Sequence, residues 1–331
     1  MPALFRLSLP LRLTPALLAT MACMAITQTA FAQPLQPLTF APGVGTVPST
    51  ALVEMVTREQ GLWLKQGLQP TTPPPLGGGD RRTWNAEEEN HSDVRLYGLG
   101  AAINYMSKGV DFVVVADLGL HAEWHMWSLS DRPIQASDIR GKRIAVTQMS
   151  GTDKLYADLL LKSLGVAPNE VTFVPTGGLP QNYQALGQGQ ADIWVTTEHA
   201  AALIDKEQRL ASVVKLSTFL GRDWDPYVIL AKRGSLQRDP ALIRRAVAAL
   251  LEGSRDVAQA SPEKNRQRLM QRFNVDAPTA QRLLATVSFE NPSGRVRVPI
   301  IEKMRLHYIE QGIIRSDSLP LSRIYDETVL P

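Results

Sequence analysis

The same succession of residue types occurs twice in this chain, and it limits the fold more than any other feature. Asp93-Val94-Arg95-Leu96 leads through Tyr97-Gly98-Leu99-Gly100 to Ala101-Ala102. Asp192-Ile193-Trp194-Val195 leads through Thr196-Thr197-Glu198-His199 to Ala200-Ala201. Each is a short apolar run, a small polar or glycine turn, and an Ala-rich helix start. The preludes correspond as well. Leu38-Thr39-Phe40-Ala41 runs through a Gly/Thr/Ser loop into a helix ending near Gly67, and Arg143-Ile144-Ala145-Val146 runs through Ser150-Gly151-Thr152 into a helix ending at Gly165. Two similar α/β lobes are expected, each with loops and helix starts at one edge of its sheet. Clefts between such lobes bind small molecules.

The N-terminal segment, residues 1–32, stands outside that pattern. Arg6 and Arg12, the apolar stretch from Ala16 to Ile26, and Ala30-Phe31-Ala32 read together as a cleavable export signal, with cleavage after Ala32. The apolar stretch is shorter than the ~20 residues of a membrane span. Thr20 stands where a lipid-attachment signal ahead of Cys23 would carry an aliphatic residue. Cys23 is the single cysteine, so a chain cleaved after Ala32 has no disulfide, thiolate metal site or thiol nucleophile. Its core must come from the 44% hydrophobic content. The formal charge of +3 drops to +1 once the two arginines are removed. No basic cluster suits a nucleic acid, and the expected location is the periplasm.

Strand and helix patterns then alternate. Strands are expected at 38–41, 68–72, 94–97, 112–116, within 121–129, and at 143–146, 171–174, 193–195, 212–216 and 227–231. Helices are expected at 49–65, 81–90, 101–108, 154–164, 182–186 and 200–206, followed by 241–259, 262–273, 279–285 and 299–311. The alternation argues for mostly parallel sheets flanked by helices. Lobe I is expected to be discontinuous, 34–130 plus 228–331, with lobe II, 131–227, inserted. Two chain crossings permit hinge closure.

The segment Asp138-Ile139-Arg140-Gly141-Lys142-Arg143-Ile144-Ala145-Val146, the Ser150-Gly151-Thr152-Asp153 loop and Gly187-Gln188-Gly189-Gln190-Ala191-Asp192 resemble ABC-importer substrate-binding proteins. Glu59-Gln60-Gly61-Leu62-Trp63 through Gly67-Leu68 does so too. The group in question contains the aliphatic sulfonate, taurine and nitrate receptors and the NMT1/THI5-like proteins. The resemblance implies a two-lobed type II periplasmic-binding-protein fold with a ligand cleft between the lobes. It also implies a small-molecule solute, and an ABC permease with its ATPase as partners. The chain departs from the group's pattern in the proline-rich, acidic stretch 73–90 and in the His- and Trp-rich tract 121–127. A monomer is expected, without cofactor or metal.

Candidate ligand contacts follow from position. Ser150, Gly151 and Thr152 combine hydroxyls with free N–H groups at a helix start, which suits an anion, although plain capping has the same signature. Gly45 and Thr46 are their counterparts in the first lobe. Tyr97-Gly98 and Thr196 follow the echoed strands, and Trp124, Trp194 and Trp224 offer apolar walls. Spacing along a strand would put His121, Glu123 and His125 on one face, a possible metal set, but nothing in the spacing supplies a further ligand. His199 reads as a surface residue. G-x-S-x-G and complete phosphate loops are absent. The expected function is a receptor for a small organic anion of sulfonate or carboxylate type. A thiamine-precursor pyrimidine or other cationic solute is the second reading, and a periplasmic enzyme on the same fold the third.

Overall fold

The computed structural model describes residues 34–43, 47–72, 92–149, 151–222, 224–288, 291 and 293–331. The expected helix at 81–90 lies outside them.

Ten strands form two five-stranded sheets. The first has the order β2-β1-β3-β10-β4, where β1 is Gln36–Ala41, β2 Leu68–Thr71, β3 Val94–Gly98, β4 Phe112–His121 and β10 Pro226–Lys232. The second has the order β7-β6-β8-β5-β9, where β5 is Trp124–Leu129, β6 Arg143–Val146, β7 Thr172–Pro175, β8 Ile193–Thr197 and β9 Leu210–Lys215. The sequence echo is therefore topological: β1, β2, β3 and β4 hold the places that β6, β7, β8 and β9 hold in the other sheet.

In each sheet four strands run one way and the fifth opposes them. β10 is antiparallel to β3 and β4, and β5 is antiparallel to β8 and β9. The opposing strands are the two that arrive from the other sheet. Tyr227, near the start of β10, pairs with Gly98 at the end of β3, and Trp124, at the start of β5, pairs with Thr197 at the end of β8. A chain entering at the edge where the parallel strands finish must run back against them. Residues 124–129, placed with lobe I from sequence, thus hydrogen-bond into the second sheet.

Helices cover both sheets. In the first half lie α1 (Pro48–Glu59), α2 (Leu62–Lys65) and α3 (Leu99–Ser107). The expected single helix over 49–65 is broken at Gly61, whose φ of +63° is left-handed and suits glycine. In the second half lie α4 (Thr152–Ser163), α5 (Leu179–Gly187), α6 (Glu198–Ile204) and α7 (Ser217–Leu220). After β10 come α8 (Arg233–Arg238), α9 (Pro240–Gln259), α10 (Pro262–Phe273), α11 (Ala277–Ala285) and α12 (Val298–Glu310). α9 buries Leu242, Ile243, Ala246, Val247 and Leu250, the spacing of one helical face.

One apolar cluster continues through both sheets' helices. It joins Leu99, Ile103 and Val114 to Ile144, Leu160 and Val195, with Met304 and Ile324 from the C-terminal segment. Among the described residues no helix is long and apolar enough to cross a membrane.

Candidate functional site

The chain crosses between the sheets twice, between β4 and β5 and between β9 and β10. The two flanks of these crossings differ. On the α3–α4 flank the space around Asp225 is filled. Asp225, just before β10, has a left-handed φ of +63°, which Asp tolerates better than most residues. Its carboxylate accepts from the Gly100 N–H at 2.8 Å and from Trp124 Nε1–H at 3.3 Å. Burial pushes its pKa up to about 6, although these donors favour the ionised form. Trp124 stacks on Tyr156 of α4 with ring centroids 4.1 Å apart. The hydroxyls of Tyr156 and of Tyr308 on α12 crowd Gly100, where a Cβ would overlap both.

On the α6–α11 flank there is a cavity of about 410 Å³. It is lined from the first crossing by His121, Glu123 and His125, and from the second by Lys215, Arg222 and Trp224. Glu198 and His199 come from α6, and residues 285–288 from the end of α11. Glu123 Oε1 accepts from Ser217 N–H at 3.0 Å. The Glu198 carboxyl is raised by burial and by the charge of Glu123. His125 Nδ1 lies 2.8 Å from Ser212 Oγ, its ring stacks on Trp127, and burial lowers its pKa to about 4. His199 Nε2 lies 2.9 Å from Thr197 Oγ1, and full burial lowers its pKa to about 3. His199 is thus a buried residue and not the surface residue expected. A second, more open hollow of about 700 Å³ lies between α3, α4 and Gln311–Ile313. Its Lys154 and Asp158 are already paired.

The residues singled out from sequence scatter over these places. Gly45, Thr46 and Ser150 lie outside the described residues. Gly98 sits beside Asp225, and a Cβ there would come 3.3 Å from its Oδ1. Tyr97 lies under the Arg95 guanidinium, 6.0 Å from ring centroid to Cζ. Trp124 is in the filled flank. Trp224 borders both, edge-on to His307 and Tyr308 and lining the cavity. Thr196 is buried, and its carbonyl accepts from Trp127 Nε1–H.

Trp194 is not at a cleft edge. It is fully buried against Tyr183, Ala185 and Leu186, because strand alternation turns it toward α5 while Ile193 and Val195 face the shared cluster. Gly151 and Thr152 open α4, and Asp153 follows them. Its buried carboxylate accepts from the N–H groups of Thr147 and Lys154. The Thr152 hydroxyl bonds the Tyr105 side chain. The metal set does not assemble either. His121 closes β4, Glu123 lies in the crossing and His125 is in β5, so the three do not share one strand face. Among the described residues no group of three metal-ligating side chains forms.

Sequence reasoning missed Asp225, Glu198, Lys215 and Arg222. For Asp225 a signal existed: an acid directly before the wholly apolar Tyr227–Ala231 run has few solvated positions available. The cavity charges carry no comparable signal, since each is an ordinary polar residue at the end of an element.

Among solved structures the chain is similar to the periplasmic aliphatic sulphonate binding protein SsuA from Escherichia coli (14% identity, 88% of this chain and 93% of that one, TM-score 0.68). It is also similar to the periplasmic nitrate-binding protein NrtA from Synechocystis PCC 6803 (11% identity, 89% and 87%, TM-score 0.64). A third neighbour is the desulfurization enzyme DszB (16% identity, 89% and 97%, TM-score 0.61). At these identities the likeness is one of fold, the periplasmic-binding-protein fold. A search of the curated proteins finds no match. The sequence pattern described as NMT1/THI5 like matches residues 53–265, and the chain belongs to that family.

Proposed function

We propose that this chain is an exported solute-binding receptor that delivers a small organic solute bearing an acidic group to an ABC permease and its ATPase. The observation that carries this reading is the cavity at the hinge. Both chain crossings and both sheets' helices contribute to its wall, so a solute held there touches everything that moves when the lobes turn. Lobe I comprises β1 to β4 with the chain from β10 onward, and lobe II comprises β5 to β9. The lobes turn about residues 121–124 and 215–226, with the apolar α3–α4 flank as pivot and the α6–α11 flank opening. A ligand shifts this equilibrium only by its differential affinity for the closed form. The names of the neighbours, sulphonate- and nitrate-binding proteins, support an acidic group.

A thermal-shift screen of the purified protein against sulfonates, carboxylates, nitrate, amines and pyrimidines tests the reading, because binding to the native state raises stability by mass action. Stabilisation by one class, with the compound recovered unchanged, is expected. No shift from any class would count against a receptor. Consumption of the compound would favour an enzyme, as in the DszB neighbour.

A further inference from the structure

We infer that the hinge cavity takes a zwitterionic solute, with an ammonium and an acid group on a short skeleton. The inference rests on the receptor reading and names its ligand class. Among the described residues two acids, Glu123 and Glu198, and two bases, Lys215 and Arg222, line the cavity. Among the described residues Glu198, Lys215 and Arg222 make no ion pair or side-chain hydrogen bond, and the only donor to the Glu123 carboxylate is the Ser217 N–H. Opposite charges this close ordinarily pair with one another, as Lys154 and Asp158 do beside the other hollow. Here they surround space instead.

The energetics favour a ligand with both signs. Burial raises the Glu198 carboxyl, and repulsion from the charge of Glu123 raises it further. An ammonium beside them relieves that repulsion, and a plain anion there would add to it. Lys215 and Arg222 offer the acid group its partners. A plain amine would leave those two cations unmatched. His125 adds an unpaired polar atom to the residues of the wall. It lines the cavity at 6% exposure, and its Nε2 has no hydrogen-bond partner. A volume of about 410 Å³ suits a small solute.

Calorimetry on the purified protein at neutral pH tests this with glycine, β-alanine and γ-aminobutyrate, which step the distance between the charges, and with propionate and propylamine, which carry one charge each. At least one zwitterion is expected to bind about tenfold or more tighter than either single-charge probe. Glu198→Gln is expected to erase that advantage over propionate, with its thermal unfolding midpoint confirming an intact fold. Lys215→Gln is expected to weaken the zwitterion while sparing propylamine. Equal or tighter binding of propionate or of propylamine overturns the inference and leaves the receptor reading standing. Failure of all three zwitterions also overturns it, and the wider screen then decides the receptor reading separately. Unchanged affinity in Glu198→Gln would overturn the placement in this cavity.

Discussion

Around Asp225, on the α3–α4 flank of the hinge, a buried carboxylate receives two donors and is walled by stacked aromatic rings. On the α6–α11 flank, acids and bases of similar number face a cavity without pairing. The first arrangement is largely closed on itself: its carboxylate finds donors within the chain, and its apolar area is already removed from water. The second is complete only when something else enters. Two lobes of the same topology therefore meet through one flank that stabilises the fold and another that leaves room for a ligand. The proposed hinge has its pivot on the side of Asp225.

The largest effect that tests this contrast is expected from Trp124→Ala. It removes the stack on Tyr156 and the indole donor to Asp225, and should cost about 4 kcal/mol in urea unfolding. A loss below 1 kcal/mol would mean that the flank is not the structural one. Asp225→Asn comes next. Burial raises the carboxyl of Asp225 to about 6, above its unfolded value. The folded chain therefore holds the extra proton, and the stability this contributes is lost as pH rises through about 6. Removing the charge should make the variant gain on the wild type by about 3 kcal/mol between pH 4 and pH 7. A difference independent of pH would show that Asp225 does not titrate in that window.

The cavity side runs in the opposite sense. His125 and His199 have folded values lowered to about 4 and about 3. They favour unfolding as pH falls below the ordinary histidine value, and each should cost about 2 kcal/mol between pH 7 and pH 5. His199→Gln should flatten the profile by that amount, read from unfolding midpoints across the range. Parallel profiles for variant and wild type would remove the histidine from the account.

These contrasts also mark what the sequence can convey. The echo between residues 93–102 and 192–201 made the two-lobed fold legible, because strand and helix periodicities are local and repeat wherever the architecture repeats. Continuous apolar runs such as Phe112–Ala116 located buried strands for the same reason. The direction of β5 was less legible, since the pattern of a half-buried strand does not say which way it runs or which sheet it joins. The candidate site was least so. Trp194 and Trp124 look alike in sequence, and one lies in a core while the other stacks at the hinge, a difference set by the face each occupies. Ser150-Gly151-Thr152 reads as an anion site from its residue types, while nothing in them tells that the neighbouring Asp153 carboxylate takes the N–H groups of Thr147 and Lys154. The cavity charges come from positions 123, 198, 215 and 222, and only the closing of two sheets brings them together.

The smallest effect on stability belongs to the contact that spans the open flank. Arg282 of α11 donates to the carbonyls of Asp205 at 3.0 Å and Ala202 at 3.3 Å, at the end of α6. Leu283 and Ala280 pack near Ala202 and Leu203 beside it. A cation at a helix C-terminus is favourable, but the guanidinium is half-buried and its acceptors are neutral, so Arg282→Ala should cost only about 1 kcal/mol of stability. If the α6–α11 flank is the one that opens, the same substitution loosens the closed form directly. Ligand release, followed by stopped-flow fluorescence of the hinge tryptophans, should then speed up by about fivefold, out of proportion to the small change in unfolding midpoint. An unaltered release rate together with the expected loss of stability would place the opening motion elsewhere. The packed α3–α4 flank would then be the one that moves.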